Sequence, residues 1–150
     1  MQVRRFVAIV ATTAVALAAP SAAEAGKTTS YDGAFAPSGA LQFDVKQTSN
    51  GKKVLKFRWT DFPLACRGGP ETSSSRLRFA VDVSQKRFRT SAVDDQDHPG
   101  ALLKLNGKLI GQDAAVGSMR IRGDRVPIDR GTDKRKQCDS GRLRWTATAL

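Results

Sequence analysis

The side chains with chemical reach in this 150-residue chain are mostly cations. Lys46, Lys56, Arg58, Arg76, Arg78, Arg120, Arg122, Arg142 and Arg144 recur at alternate positions between apolar residues. An extended strand sends successive side chains to opposite faces, so this spacing puts the cations on water-facing surfaces. A guanidinium donates two parallel hydrogen bonds to a phosphate, sulfate or carboxylate. If their strands are neighbours, Lys56, Arg58, Arg76, Arg78, Arg120, Arg122, Arg142 and Arg144 form a ladder suited to an anionic polymer. Asp44 and Asp82 fall in the same pattern, and a merely solvated face is the alternative.

The remaining reactive groups lead elsewhere. Asp94-Asp95-Gln96-Asp97-His98 packs carboxylates densely, and Ca²⁺ takes several oxygen ligands. The glutamate that closes an EF-hand loop is missing, and the run can instead attract the basic stretch Arg130–Lys136. His98 is the only histidine. A triad would need a serine beside it, and the chain has no G-x-S-x-G elbow. Gly26-Lys27-Thr28 lacks the upstream glycine of a phosphate loop, and Ser49-Asn50-Gly51-Lys52 lacks the companion motifs of an S-x-x-K enzyme. No catalytic residue, metal site or cofactor is therefore expected.

The two cysteines, Cys66 and Cys138, have one intramolecular pairing open to them. A metal site would need further ligands from a chain with a single histidine. In an exported chain an even pair reads as a disulfide. Closing a loop of this length contributes about 4 kcal/mol on the chain-entropy account. Trp59 and Trp145 fall on the apolar side of their strands. They are expected in the core and not as platforms for sugar rings.

Export itself is read from the N-terminus. A basic Met-Gln-Val-Arg-Arg is followed by an apolar run from Phe6 to Ala19, broken only by Thr12 and Thr13. A spanning helix needs roughly 20 apolar residues, so the run is too short to be one. Pro20 ends the helix, and Ala23-Glu24-Ala25 is a small-residue cleavage pattern. Cleavage after Ala23 fits almost as well. Residues 1–25 thus read as a signal peptide and 26–150 as one secreted domain. No second apolar run is long enough to be a transmembrane anchor. The chain carries a formal charge of +11, and losing Arg4, Arg5 and Glu24 leaves +10. Such a charge favours an anionic polysaccharide or cell-envelope polymer as partner. Nucleic acid is not expected, because no stacking aromatics interleave with the cations. A neutral-glycan or protein-binding module is the second reading. A hydrolase using Asp97 or His98 is the third.

The elements that must hold these groups are strands. Leu41, Phe43 and Val45 alternate with polar residues. So do Leu55, Phe57 and Trp59; Leu77, Phe79, Val81 and Val83; Met119 and Ile121; and Leu143, Trp145 and Ala147. Weaker strands are predicted at Ser30–Phe35, Arg87–Val93, Ala101–Leu105 and Lys108–Ile110. Ser49-Asn50-Gly51-Lys52 and Ser84-Gln85-Lys86 read as turns, and Asp97-His98-Pro99-Gly100 and Asn106-Gly107 as breaks. Arg67–Ser75 and Asp129–Lys136 read as loops. About eight short antiparallel strands in one domain imply an all-β sandwich closed by a disulfide, with a closed barrel as the alternative.

Several short elements resemble a family of small exported bacterial proteins of actinobacterial type. They are Tyr31-Asp32-Gly33, Phe62 to Cys66, Gly107-Lys108-Leu109-Ile110-Gly111, and Ala115-Val116-Gly117-Ser118-Met119-Arg120. The most specific is the ending, Cys138-Asp139-Ser140-Gly141 through Trp145-Thr146-Ala147. The resemblance spans most of residues 26–150. It implies a disulfide-closed β-domain and brings no catalytic residue with it.

Overall fold

The described residues form ten strands. They are β1 (Thr28–Phe35), β2 (Ala40–Thr48), β3 (Gly51–Cys66), β4 (Gly69–Arg76), β5 (Val81–Val83), β6 (Arg87–Val93), β7 (Leu102–Ile110), β8 (Ala114–Pro127), β9 (Arg135–Asp139) and β10 (Leu143–Ala149). The computed structural model describes residues 26–93, 100–129 and 135–150. The signal segment 1–25, the acidic cluster Asp94–His98 and residues 130–134 of the basic stretch lie outside the described residues.

The architecture is all-β and antiparallel, as the alternation predicts. Hydrogen-bonded order runs β10-β1-β2-β3-β9-β8-β7-β6, with β4 and β5 both on β3 and a further pairing of β10 with β8. Long strands β3 and β8 each serve several partners, which joins two layers without making a clean barrel. Aromatic pairs identify what faces what. Phe43 of β2 lies 6.0 Å from Phe88 of β6 and 5.9 Å from Trp145 of β10. Phe57 of β3 lies 6.1 Å from Trp145. None of these strands are hydrogen-bonded neighbours, so the rings meet across the interior. The wall built from β2 and β3 therefore packs face to face with the wall built from β6, β7, β8 and β10.

Both tryptophans are spent on this core. Trp59 is 7% exposed and Trp145 2%. Cys66 and Cys138 are bonded, and they are direct cross-strand partners between β3 and β9.

Four local expectations need correction. The Leu77–Val83 run is not one strand. Leu77 is buried and its N–H reaches the Phe57 carbonyl, but Phe79 is 47% exposed and only Val81–Val83 pair. The cause lies in β3, where Lys56 takes a positive φ of 52° at a register shift opposite Phe43. The chain arcs past that bulge between its two pairings with β3. Second, Arg67–Ser75 is not a loop, because β4 pairs with β3 from Gly69 to Arg76. Polar bonds fasten it where alternation is absent. The Asp129 carboxylate accepts from Thr72 Oγ1 at 3.0 Å, Ser74 N at 2.8 Å and Ser74 Oγ at 2.9 Å. Lys136 Nζ donates to Glu71 Oε1 at 2.6 Å. Third, Asn106-Gly107 does not break a strand, since β7 runs through it. Fourth, Asp129–Lys136 is not loop to its end, because Arg135 and Lys136 belong to β9 and pair with Pro127 and Val126.

Both predicted hairpin turns are present. Thr48 pairs with Gly51, whose φ is +115°. Between β5 and β6, Gln85 and Lys86 take φ of 50° and 62°. Two successive left-handed residues give the primed turn whose twist suits a two-residue hairpin.

Candidate anion-binding face

The eight predicted cations do not form one ladder. The fold divides them between the two outer walls and adds partners that the pattern did not single out.

On the outward side of β6, β7, β8 and β10 the register builds transverse rows. Arg89, Asn106, Ser118 and Arg144 are successive cross-strand partners. The next row toward the β5–β6 turn is Arg87, Lys108, Val116 and Thr146. On the other side lie Ser91, Lys104 and Arg120. Neighbouring strands stand about 4.8 Å apart, and alternate residues along one strand about 6.8 Å. Arg142, just before β10, lines the same shallow groove of about 960 Å³ with Arg87, Arg89, Lys108 and Arg144. Arg87, Arg89, Lys104, Lys108, Arg142 and Arg144 are exposed, and none makes an ion pair or side-chain hydrogen bond with another described residue.

The cations face outward because apolar side chains occupy the inner side of this wall. Phe88, Leu105, Met119 and Trp145 point inward, so their neighbours in sequence must point out. Predicted Arg142 and Arg144 therefore meet Arg87, Arg89, Lys104 and Lys108. Those four also sit at alternate positions, but the alternation around Arg87–Val93 and Lys108–Ile110 is weaker than in β2 or β10.

Arg120 and Arg122 share the wall in a different role. Arg120 Nε donates to Asp139 Oδ1 at 2.9 Å, and Nη2 to Oδ2 at 2.5 Å. Asp139 Oδ1 also accepts the Gly141 N–H at 2.9 Å. Arg122 is the cross-strand partner of Asp139. The guanidinium of Arg120, chiefly through its hydrogen bond, holds the Asp139 carboxyl below the usual carboxylate range. A lowered native pKa stabilises the fold above the unfolded carboxylate value. That contribution disappears as pH falls through the lowered native value. In an acid titration followed by NMR, the Asp139 carboxyl carbon is expected to titrate below exposed carboxylates. In Arg120→Gln it returns toward them; an unchanged midpoint would show that the guanidinium is not the cause.

The most specific stretch of the resemblance is thus a fastening. Cys138 holds β3, Asp139 holds Arg120, and Ser140 exchanges bonds with Ile121 through its N–H and its Oγ, each at 2.9 Å. Gly141 takes φ of +66°.

Lys56, Arg58, Arg76 and Arg78 line a separate groove of about 990 Å³ on the other wall. Arg58 and Arg76 are direct cross-strand partners. Arg58 Nη2 donates to Gln42 Oε1, and Lys56 lies 3.5 Å from Asp44. Among the described residues no group of three or more His, Cys, Asp or Glu side chains could hold a metal ion. No helix among the described residues is long and apolar enough to cross a membrane. The Asp94–His98 cluster lies outside the described residues. The chain matches no family model, no curated protein sequence and no solved structure.

Proposed function

We propose that residues 26–150 act outside the cytoplasm as a non-enzymatic module that binds an anionic polysaccharide or cell-envelope polymer. The observation that carries this reading is the row structure on the outer wall. Six exposed cations without a carboxylate partner among the described residues stand on one continuous surface. Like charges held side by side repel, and a polymer that presents anions at comparable intervals relieves that repulsion. Solubility alone is served equally by cations interspersed with acids, and the acid that lines this groove, Asp82, is bonded to Lys53. Burial of both tryptophans favours an electrostatic reading over stacking on a neutral glycan.

The test is co-sedimentation of the oxidised domain with dextran sulfate resin and with neutral dextran resin, at low and high salt. Retention is expected on the sulfated resin only, and salt releases it, because exposed contacts are screened. An exposed charge contact contributes up to about 1 kcal/mol. Arg87→Gln/Arg89→Gln/Arg144→Gln should therefore weaken retention about tenfold or more. Retention on neutral dextran, or unaltered retention by the triple variant, would overturn the assignment.

A further inference from the structure

The second cationic groove has no access to the first. Arg58 and Arg76 project from the outer side of β3 and β4, beside Arg78 and the bulged Lys56. Arg87, Arg89 and Arg144 project from the outer side of β6 and β10. Between the two lie Phe57, Phe43, Trp145 and Phe88, packed ring against ring across the core. Packed sheets stand about 10 Å apart, and outward-pointing arginines add their own length on each side. One sulfate or phosphate cannot touch both sets.

The Arg58–Arg76 pair has the marks of a binding site in its own right. Like charges directly opposite each other across a ladder destabilise the pairing, and here both guanidinium groups are exposed on the same face. The Gln42 amide oxygen, across β3 from Arg76, accepts from Arg58 and leaves its remaining guanidinium donors for another acceptor. Lys56 is engaged with Asp44, and Lys53 with Asp82 at 2.9 Å, so the lysines here are partly neutralised while Arg58, Arg76 and Arg78 have no carboxylate partner among the described residues. An anion between Arg58 and Arg76 removes the repulsion and takes up guanidinium donors in the geometry it prefers.

We infer that the domain is bivalent: a single copy holds one anionic chain on the β6–β7–β8–β10 wall and a second in the Arg58–Arg76 groove, and so bridges two polyanion chains. The inference rests on the polymer-binding reading above and assigns it a consequence, cross-linking.

The experiment immobilises dextran sulfate, saturates it with oxidised protein, washes, and then offers soluble fluorescent dextran sulfate at low salt. Wild-type protein is expected to capture the second chain. Arg58→Gln/Arg76→Gln is expected to stay on the surface, within about threefold of wild-type loading, and to lose most of the captured fluorescence. Both side chains are exposed, so the fold is retained, and circular dichroism checks it. Capture by this variant equal to that of wild type overturns bivalency. So does wild-type loading without any capture, which leaves a one-faced binder and the polymer reading intact. Failure of wild-type protein to load at all is a different result, and it overturns the polymer reading together with the inference.

Discussion

Cys66→Ser/Cys138→Ser is expected to lower the unfolding free energy of the domain by about 4 kcal/mol. The bond joins residues 72 apart in sequence, so in the unfolded chain it closes a loop that includes β4 through β8. Removing it frees that loop and raises the entropy of the unfolded state. The native side loses as well. β9 is five residues long, and its pairing with β3 consists of Ala65 with Asp139 and Cys66 with Cys138. The disulfide is the covalent part of that short junction, and Asp139 beside it holds Arg120. Denaturant unfolding of the oxidised protein, the reduced protein and the double serine variant measures the effect. The two thiol-free or reduced forms should agree with each other and fall well below the oxidised one. A loss below about 1 kcal/mol would mean that β3 and β9 are held by their surroundings, and that the cross-link adds little to a loop already constrained.

How far the chain could be read follows from the kind of signal each element carries. Where one face is apolar and the other polar, period two was enough. Leu41–Val45, Leu55–Trp59 and Leu143–Ala147 are strands with Trp59 and Trp145 inside. The disulfide followed from counting. β4 was missed because Gly-Pro-Glu-Thr-Ser-Ser-Ser has no apolar side to alternate. It is held by backbone pairing with β3 and by Asp129, which comes from 55 residues away relative to Ser74. No local pattern announces such a bond. Leu77–Val83 failed for the converse reason: alternation was present, but β3 is bulged at Lys56 and pairing could not continue alongside it. The candidate site shows the same limit. Outward cations were legible strand by strand. Which of them share a wall depends on strand order, and that separated Arg58 and Arg76 from Arg144 and brought Arg87, Arg89, Lys104 and Lys108 to it.

Gly107 and Gly117 mark no break in their strands; they are packing constraints. They are direct cross-strand partners in β7 and β8, and each is covered on its inner side by a ring. A Cβ on Gly107 would lie 2.1 Å from Cζ of Phe88 and 2.5 Å from both its Cε atoms. A Cβ on Gly117 would lie 2.4 Å from Cζ2 of Trp145 and 2.1 Å from the Asn106 carbonyl oxygen. Phe88 and Trp145 are themselves stacked, 6.1 Å apart with planes 30° from parallel. They also meet Phe43 from the facing wall. Neither ring can retreat without disturbing the contact between the layers. Gly107→Ala and Gly117→Ala are each expected to cost about 3 kcal/mol, the upper end of overpacking effects. Gly117→Ala is expected to cost the more of the two, since its Cβ meets a fixed backbone oxygen as well as a ring. Ser118→Ala, on the outer side of the same strand, should stay within about 0.5 kcal/mol of the parent. Thermal or denaturant unfolding of the three variants decides the point, with near-ultraviolet circular dichroism reporting on Trp145. Parent-like stability of Gly117→Ala would mean that the ring does not rest on β8. The outer cations would then lose their explanation too, because the parity that sends Arg144 outward is the parity that presses Trp145 onto Gly117.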